Sequence, residues 1–378
     1  MLKIYLIVHI SSLSLTNYKN YTSQVYDLHN KLNLVVGLNG AGKTNLLDAV
    51  YYTCIGKSYL STTDRYNIRK GENFLRLEGI FYNNDQEKNN IAITVEKDKK
   101  KTIKSDGKNY KRISEHVGNY PCVMISPTDV HGLLDASEER RKFIDQSITQ
   151  YDKDYLRQLL EYNKLLKQRN ALLKLFAEQK SYNKLLINTI SEKMERPAQK
   201  IHEARKTFVD RISSQFSATY KHISEDKEQA RIEYKSSLHD TPFLQSLSES
   251  NNRDRILQRT TKGIHKDDLK FIMNDDQLKV YASQGQLKSF IMALKLSQYK
   301  IIQSVHKNTP ILLLDDIFDK LDQERVKFII DILLKEDYGQ IFISDTNLYR
   351  VENILQILET NYHKFVIEST ESISLEKH

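Results

Sequence analysis

The sequence has few of the residues that build disulfide frameworks or zinc sites. Its 378 residues include two cysteines, Cys54 and Cys122, which lie in segments that read as a helix and a strand. Two cysteines are too few for a disulfide framework, so we expect buried thiols in a reducing compartment. No group of His and Cys residues has the spacing of a zinc site.

Long apolar runs are also missing. No segment approaches the roughly 18 apolar residues of a membrane-spanning helix, which argues against a membrane protein. Residues 1–10 are apolar in part, but they pass into strand-like alternation without a small-residue cleavage site. They predict a strand and not a signal peptide. We therefore expect a cytoplasmic protein with no membrane partner.

The overall composition is that of a folded protein with a net positive charge. Hydrophobic residues make up 39% of the chain and charged residues 28%, which excludes the disordered and fibrous classes. The length leaves room for about two or three domains. The formal net charge of +8 favours a polyanionic partner without identifying it.

A glycine-rich loop follows the apolar run Leu32–Val36 and opens the apolar-periodic segment 45–50. It matches G-x-x-x-x-G-K-[ST] in full, a pattern whose backbone amides and helix N-terminus form a concave polyphosphate site. We expect Lys43 to reach the β- and γ-phosphates of ATP or GTP and Thr44 to bind Mg²⁺. The candidate nucleotide-binding residues of the loop are Gly37, Leu38, Asn39, Gly40, Ala41, Gly42, Lys43 and Thr44.

A second apolar run, residues 310–314, ends in two carboxylates. It reads as a central parallel strand, which would deliver Asp315 and Asp316 to the C-terminal edge of a sheet. Magnesium prefers hard oxygen ligands, so Asp315 is a candidate metal residue beside Thr44. Asp316 is a candidate catalytic residue, with Lys43, that would orient or deprotonate the attacking water.

Another anion-binding pattern directly precedes the helical run 287–299. It consists of Ser283, Gln284, Gly285 and Gln286. A serine hydroxyl, a glycine amide and a helix N-terminus suit a phosphate. Because the chain already has a phosphate loop, this second binder suggests that two subunits enclose one nucleotide between them.

The remaining sequence predicts a small antiparallel sheet within residues 74–110, a buried strand at 120–125, and then helices. The spacing in 137–223 indicates two or more antiparallel helices of about 30 residues and about 45 Å. We expect Pro197 to end or restart one of them. Residues 244–255 read as a loop or linker.

Three segments allow two interpretations each. Tyr18, Lys19 and Tyr21 either stack on an adenine base or form a solvated aromatic edge. Residues 263–269 either touch nucleotide, metal or helical arm, or form a turn around a hydrogen-bonded histidine. The basic run 97–101 is either a solvated hairpin tip or a nucleic-acid contact.

These motifs resemble the heads of ABC-type ATPases of DNA repair and chromosome maintenance, and more narrowly the RecF family. The broader resemblance depends on the phosphate loop, the Ser-Gln-Gly-Gln segment, the Asp315-Asp316 pair and residues 319–322. The narrower one depends on blocks that follow the family's order over nearly the whole chain. The blocks are residues 37–49, 56–59, 139–145, 166–173, 263–269 and 283–286.

The resemblance implies an α/β fold, with an ABC-type P-loop ATPase head of a mixed sheet plus a small antiparallel sheet, and an inserted α-helical arm domain. The head would comprise residues 1–130 and 263–378, and the arm residues 131–262. It also implies ATP and Mg²⁺ as cofactors and an ATP-dependent homodimer that grips DNA. Recombination mediator proteins and a recombinase would be its partners, in repair, replication and the SOS response.

The chain departs from the family pattern at several positions. About eight residues precede the first strand, Asp48 stands where Glu is common, and residues 264–266 read Ile-His-Lys where Pro-His-Arg is usual. Asp345 lies in the segment of a small polar switch and would sense the γ-phosphate through water.

Two further functions are open at this point. An ABC transporter ATPase is disfavoured by the helical interval between Thr44 and Ser283. A nucleotide-gated DNA-binding protein with incidental hydrolysis is the other.

Asp316 is one methylene shorter than the Glu common in transporter ATPases, so we expect slow turnover, a weak DNA-stimulated ATPase and an ATP-governed clamp. Charge alone suggests DNA contacts at Arg65, Arg69, Lys70 and residues 99–101.

Overall fold

The computed structural model describes residues 6–83, 85–224, 226, 228–318, 326, 329–330, 332–333, 338–346, 352 and 361–378. The strands are β1 (Leu6–Ile7), β2 (His9–Tyr18), β3 (Tyr21–Asp27), β4 (Leu32–Val36), β5 (Phe74–Tyr82), β6 (Lys88–Glu96), β7 (Thr102–Ser105), β8 (Lys108–Asn109), β9 (Cys122–Ile125), β10 (Ala230–Lys235), β11 (Asp268–Met273), β12 (Asp276–Gln277), β13 (Asn308–Thr309), β14 (Ile311–Asp315), β15 (Ile341–Asp345), β16 (His363–Ser369) and β17 (Ser372–Lys377). The helices are α1 (Lys43–Ile55), α2 (Pro127–Asp135), α3 (Ser137–Thr149), α4 (Lys153–Glu178), α5 (Lys184–Ile223), α6 (Phe243–Glu249), α7 (Asn251–Leu257), α8 (Leu278–Tyr281) and α9 (Gln284–Val305).

The first compact unit, residues 1–130 and 288–378, contains two large sheets. The mixed sheet has the strand order β17-β16-β4-β15-β14-β9, in which only the β16–β17 pair is antiparallel. The antiparallel sheet has the order β3-β2-β5-β6-β7-β8. The expected fold class is therefore confirmed, and the antiparallel sheet also includes β2 and β3.

Helix α1 shares the core of this unit with both sheets. Leu46, Leu47 and Val50 are buried, and they belong to one apolar cluster with Leu77 of the antiparallel sheet and Leu313 of the mixed sheet. Burial on all sides explains why α1 shows little amphipathic periodicity. Cys54 and Cys122 are both buried thiols in this cluster. The core thus fixes the start of α1 against the end of β4.

The second compact unit, residues 131–287, is built on two long helices. The 26 residues of α4 and the 40 residues of α5 pack against each other, so that α5 alone is about 60 Å long. Asp152 and Asn183 cap their N-termini by accepting hydrogen bonds from Tyr155 N and Leu186 N. The sequence placed two helices correctly but underestimated the length of the second.

The expected helix break at Pro197 is wrong, because the proline lies inside α5 and is buried. A proline in a helix interior costs about 3 kcal/mol. Buried residues on both sides, Met194, Ala198 and Ile201, continue one apolar stripe, and burial of a large apolar side chain contributes about 1.5–3 kcal/mol. The stripe therefore offsets the local preference.

The second domain boundary also differs from the expected one. The structure divides the chain after residues 130 and 287, whereas the sequence suggested 130 and 262. Residues 263–287 belong to the second unit because β11 pairs along its whole length with β10, from Asp268↔Lys235 to Met273↔Ala230. The supposed linker 244–255 forms most of α6 and α7. No helix in the described ranges is long and apolar enough to cross a membrane.

Candidate nucleotide site

The phosphate loop connects the buried strand β4 to α1. A Cβ atom on Gly37 would lie 2.2 Å from the Ile367 carbonyl oxygen of β16, so only glycine fits there. Gly42 has φ +121° and its Cβ would lie 2.9 Å from the Tyr21 hydroxyl, a second position that requires glycine. The loop therefore has its shape because the neighbouring strands approach its backbone closely.

Lys43 is buried at the first position of α1. Its Nζ donates hydrogen bonds to the carbonyl oxygens of Gly37 at 2.9 Å and Leu38 at 3.2 Å. The same Nζ lies 3.8 Å from Asp316 Oδ2. The structure thus brings both candidate catalytic side chains together at the loop.

Thr44 and Asp315 meet across the end of the mixed sheet. Thr44 Oγ1 donates to Asp315 Oδ1 at 3.0 Å, and Ser344 Oγ donates to the same oxygen at 2.7 Å. Burial raises the pKa of the Asp315 carboxyl above its ordinary value, and these two hydrogen bonds oppose the shift. The two candidate metal residues therefore form one contact.

Ser344 is a residue that the sequence analysis missed. In the parallel pairing of β14 and β15 it stands opposite Asp315, and its Oγ also accepts a hydrogen bond from Asp316 N at 3.0 Å. Asp316 has φ +46°, a left-handed backbone that is rare for non-glycine residues. The Ser344 hydroxyl therefore contacts the Asp315 side chain and the Asp316 backbone at the same time.

Asp345 ends β15, is buried, and pairs with Val36 directly before the phosphate loop. Its role as a γ-phosphate sensor stays a prediction. Residues 319–322, which contributed to the resemblance, lie outside the described residues.

Asp48 of α1 is a hydrogen-bonding centre beneath the loop. Its Oδ2 accepts from the Tyr18 hydroxyl at 2.6 Å, from Lys19 Nζ at 2.5 Å and from Ser58 Oγ at 2.7 Å. Its Oδ1 accepts from Tyr59 N at 2.7 Å. The carboxylate is fully buried, so Asp48 ties α1 to both flanking segments.

Neither interpretation of the aromatic segment before the loop is correct. Tyr18 and Tyr21 are fully buried, and their hydroxyls donate to Asp48 and to the Gly42 carbonyl oxygen. A ring with no exposed face can neither stack on a base nor form a solvated edge. Both tyrosines instead support the loop and its helix from below.

The Ser-Gln-Gly-Gln segment lies at the start of α9. Gln286 N donates to Ser283 Oγ at 3.3 Å and Ser283 N donates to Gln286 Oε1 at 2.7 Å, a reciprocal capping box. Gln286 Nε2 also donates to Glu228 Oε1 at 2.7 Å. Ser283 and Gln284 are exposed, and Gly285 is half-buried. The segment therefore presents a capped helix N-terminus on the surface.

The histidine segment 263–269 contacts the helical arm. His265 Nδ1 lies 2.8 Å from the Tyr162 hydroxyl and Nε2 lies 3.0 Å from the Thr260 carbonyl oxygen. Nε2 must therefore carry the proton and donate, while Nδ1 accepts. Burial lowers the pKa of His265 to about 4. Of the open interpretations, contact with the arm and a hydrogen-bonded histidine are both correct.

We expect His265 to make folding sensitive to mild acid. Its pKa falls from 6.5 to about 4 on folding, so its stabilising contribution is complete above about pH 6.5 and is lost as the pH falls toward 4. Between pH 7 and pH 5 the loss is about 2 kcal/mol. Urea unfolding of wild type and His265→Gln at both pH values measures it. Equal pH dependence of the two proteins would contradict the assignment.

The cations suggested as DNA contacts differ in exposure and in their polar partners. In the basic run, Lys101 Nζ donates to the Gly56 carbonyl oxygen at 2.7 Å and lies 2.8 Å from Asp64 Oδ2. Lys99 pairs with Glu96 at 2.5 Å. Arg65, Lys70 and Lys100 are exposed, whereas Arg69 is half-buried and donates to Thr22. Lys99 is thus paired next to its own hairpin, and Lys101 is engaged by residues outside the sheet.

The fold and this site define a P-loop ATPase head of the ABC class. A family model described as RecF/RecN/SMC N terminal domain matches residues 9–367. The chain belongs to the RecF family. The DNA replication and repair protein RecF of Flavobacterium johnsoniae is 40% identical over 358 residues, which cover 95% of this chain and 99% of that protein.

Two solved structures are similar to this chain. One, described as the recombination mediator protein RecF with ATP in the RecFOR pathway, superposes with a TM-score of 0.89 at 27% identity and covers 100% of both chains. The Smc head domain of Pyrococcus furiosus, bound to the C-terminal domain of ScpA, has a TM-score of 0.58 at 17% identity and covers 98% of this chain and 96% of that one. The second likeness supports the fold alone. Membership in the RecF family decides against the transporter alternative.

Proposed function

We propose that the protein is an ATP-dependent DNA-binding protein of recombinational repair and replication. It closes on DNA as a homodimer when ATP is bound, and with recombination mediator proteins it helps to load a recombinase and supports the SOS response. The observation that carries the proposal is the 3.0 Å contact of Thr44 with Asp315 behind a complete phosphate loop, in a chain of the RecF family. The partners come from the relatives, which are named for replication, repair and the RecFOR pathway.

The residues at the loop fit a nucleotide triphosphate with Mg²⁺. Thr44 Oγ1 and the Asp315 carboxylate are hard oxygen donors at one point, the type that Mg²⁺ prefers. Bound Mg²⁺ would neutralise charge on the phosphates. Lys43 would exchange its two carbonyl partners for phosphate oxygens, which are stronger acceptors for an ammonium group. The burial of Asp315 favours a bound cation, because a cation restores the charged carboxylate.

We expect Asp316 to activate the attacking water, with slow turnover. Its carboxylate lies 3.8 Å from the Lys43 ammonium, and a neighbouring positive charge makes a carboxylate a weaker base. Its short side chain and its left-handed backbone, held by Ser344, limit its reach. ATP therefore acts mainly as the switch that closes the dimer, with slow hydrolysis that reopens it.

The second half of the nucleotide site comes from another copy of the chain. Ser283 is exposed at the N-terminus of α9, which has 22 residues. A helix N-terminus carries partial positive charge and backbone donors that suit a phosphate. Because the Ser283 oxygen already accepts from Gln286 N, its hydroxyl proton is left to donate to a γ-phosphate oxygen.

We expect Ser283→Asp to weaken ATP-dependent dimerisation about 10-fold or more, since its carboxylate would face the partner's triphosphate and like charges repel. Asp and Asn cap helices as well as Ser does, so Ser283→Asn is a neutral control that keeps the helix start. Sedimentation velocity with ATP measures the dimer. Wild-type dimerisation of Ser283→Asp would count against the proposed second half-site.

The function itself is tested by DNA binding in different nucleotide states. We expect the wild-type protein to bind duplex, single-stranded or gapped DNA more tightly with ATP than with ADP, because only the triphosphate spans both half-sites. Fluorescence anisotropy over a salt series measures the affinities. Equal affinity for all three DNAs in ATP and ADP would refute ATP gating.

A further inference from the structure

The second unit contains a broad cleft with a strongly basic lining. The cleft has a volume of about 690 Å³ and lies between the end of β10, the segment 236–240, α7 and residues 259–266. Asp240 is the one carboxylate among its lining residues. Its cations are Lys235, Arg253, Arg259, Lys262 and Lys266, all of them exposed. The cleft therefore concentrates positive charge from three different segments of the chain.

Apart from Asp240, the carboxylates close to the cleft do not neutralise this charge, because they are engaged elsewhere. Asp267 pairs with Arg205 at 2.8 Å and Asp254 pairs with Arg169 at 2.7 Å. The two other carboxylates close to Lys235 are likewise bound: Asp268 to Arg140, and Glu233 to Arg231. Within the described part of the chain, none of the five lining cations has an ion-pair partner within 4.0 Å. The cleft thus keeps its positive potential.

Lys235 also stands close to another lysine. The pKa of Lys235 is lowered, first of all by Lys270, which lies on the neighbouring strand β11. Two neighbouring ammonium groups that repel each other in this way would be stabilised by an anion between or beside them. The lowered pKa of Lys235 therefore agrees with an excess of positive charge at this end of the cleft.

Aromatic rings line one side of the cleft. Tyr234 and His239 contribute to the lining, with ring centroids 5.1 Å apart, and His202 stacks on Tyr234 at 5.7 Å. Such rings provide flat surfaces for sugar or base faces beside a charged groove. Burial lowers the pKa of His202, which favours a neutral ring beside Tyr234.

The shape distinguishes between possible anions. A small phosphate site gathers buried donors around one point, whereas here the cations are exposed and distributed over three segments. A distributed row of Lys and Arg side chains matches a chain of phosphodiesters. The aromatic side suits nucleic acid better than an acidic protein segment.

We propose that this cleft binds the phosphodiester backbone of DNA. The inference rests on the proposed DNA-binding function and assigns to it a contact in the second unit, at residues that the sequence analysis did not select. Lys235, Lys262 and Lys266 supply the ionic contacts, and the Tyr234 and His239 rings lie beside them. Contacts to phosphates carry no sequence information, so this cleft binds DNA of any sequence.

The test compares two triple variants that remove the same charge. One is Lys235→Ala/Lys262→Ala/Lys266→Ala in the cleft. The matched control replaces Lys164, Lys167 and Lys174, three exposed lysines of α4 outside the cleft lining, by alanine. With ATP present, we expect the cleft variant to bind duplex DNA at least about 10-fold more weakly, and the slope of log K against log salt to flatten by about 2 to 3. The control should change affinity by less than about 3-fold.

The possible results separate the cleft assignment from the proposed DNA-binding function. Equal losses in both variants, or no loss in either, would overturn the cleft assignment while leaving the proposed function intact. A wild-type protein that binds no DNA in any nucleotide state would instead refute the proposed function, and the inference with it. Inorganic tripolyphosphate at equal phosphate concentration should compete poorly with DNA. Efficient displacement would identify a small-anion site and overturn the backbone assignment. Thermal melting and ATP affinity like wild type confirm that the cleft variant is folded.

Discussion

Lys43→Ala is expected to lower the affinity for ATP by about 100-fold or more. The Lys43 ammonium is buried and is held at the loop by the carbonyl oxygens of Gly37 and Leu38. Hydrogen bonds to charged groups contribute about 1.5–3 kcal/mol each, and two of them to phosphate oxygens correspond to about two to four orders of magnitude. Isothermal titration calorimetry with ATP measures the loss directly. Dimerisation and DNA binding should lose their ATP dependence in the same variant.

The control for this prediction is Lys100→Ala, an exposed lysine of the same unit, which should bind ATP like wild type. Circular dichroism establishes that Lys43→Ala is folded. If it bound ATP with unchanged affinity, the assignment of the loop would be wrong. If it lost ATP but still dimerised on DNA in sedimentation velocity, ATP would not be the switch, and the clamp mechanism would fail.

The sequence revealed those parts of the site whose residues form contiguous motifs. The phosphate loop is a contiguous run whose neighbours predict a strand before it and a helix after it, and Asp315 and Asp316 end an apolar run. Ser344 had no such signal. Its importance arises because β14 and β15 pair in parallel with Asp315 opposite Ser344, a register set by residues that are far apart in sequence.

Burial explains the wrong interpretation near the loop. Tyr18 and Tyr21 lie close to the loop in sequence, which suggested an accessible aromatic surface. In the structure they end β2 and begin β3, and both rings are part of the core that contains α1. Their hydroxyls are satisfied by Asp48 and by the Gly42 carbonyl oxygen. Which face of a strand is buried depends on what packs against it, and that information is tertiary.

The second unit shows the same division between local and tertiary information. Helical periodicity predicted α4 and α5, because a long apolar stripe is visible in sequence. Strand β10 was missed since it pairs with β11, more than 30 residues later. The domain boundary was misplaced for the same reason. Because β10 pairs with β11, residues 263–287 belong to the same unit as α4 and α5.

A buried ion network around Arg205 joins the segments of the second unit. Its guanidinium lies 2.8 Å from Asp267 Oδ2 and 2.9 Å from Asp145 Oδ1, and it donates to the Ile264 carbonyl oxygen at 2.7 Å. Arg205 is 1% exposed and Asp267 is buried as well. Asp145 is on α3, Arg205 is on α5, and Asp267 directly precedes β11. One side chain therefore holds three parts of the unit in register.

Arg205→Met is expected to destabilise the protein by about 3–5 kcal/mol, because removing one partner of a buried ion pair leaves the Asp267 carboxylate buried without its cation. Urea unfolding followed by circular dichroism measures the change. Lys206→Ala, at the next position of α5 but exposed, is the control and should change stability by less than about 0.5 kcal/mol. Adding Asp267→Asn to Arg205→Met should recover part of the loss, since the orphaned charge is then removed. Fully additive losses would mean that packing, and not the buried charge, determines the effect.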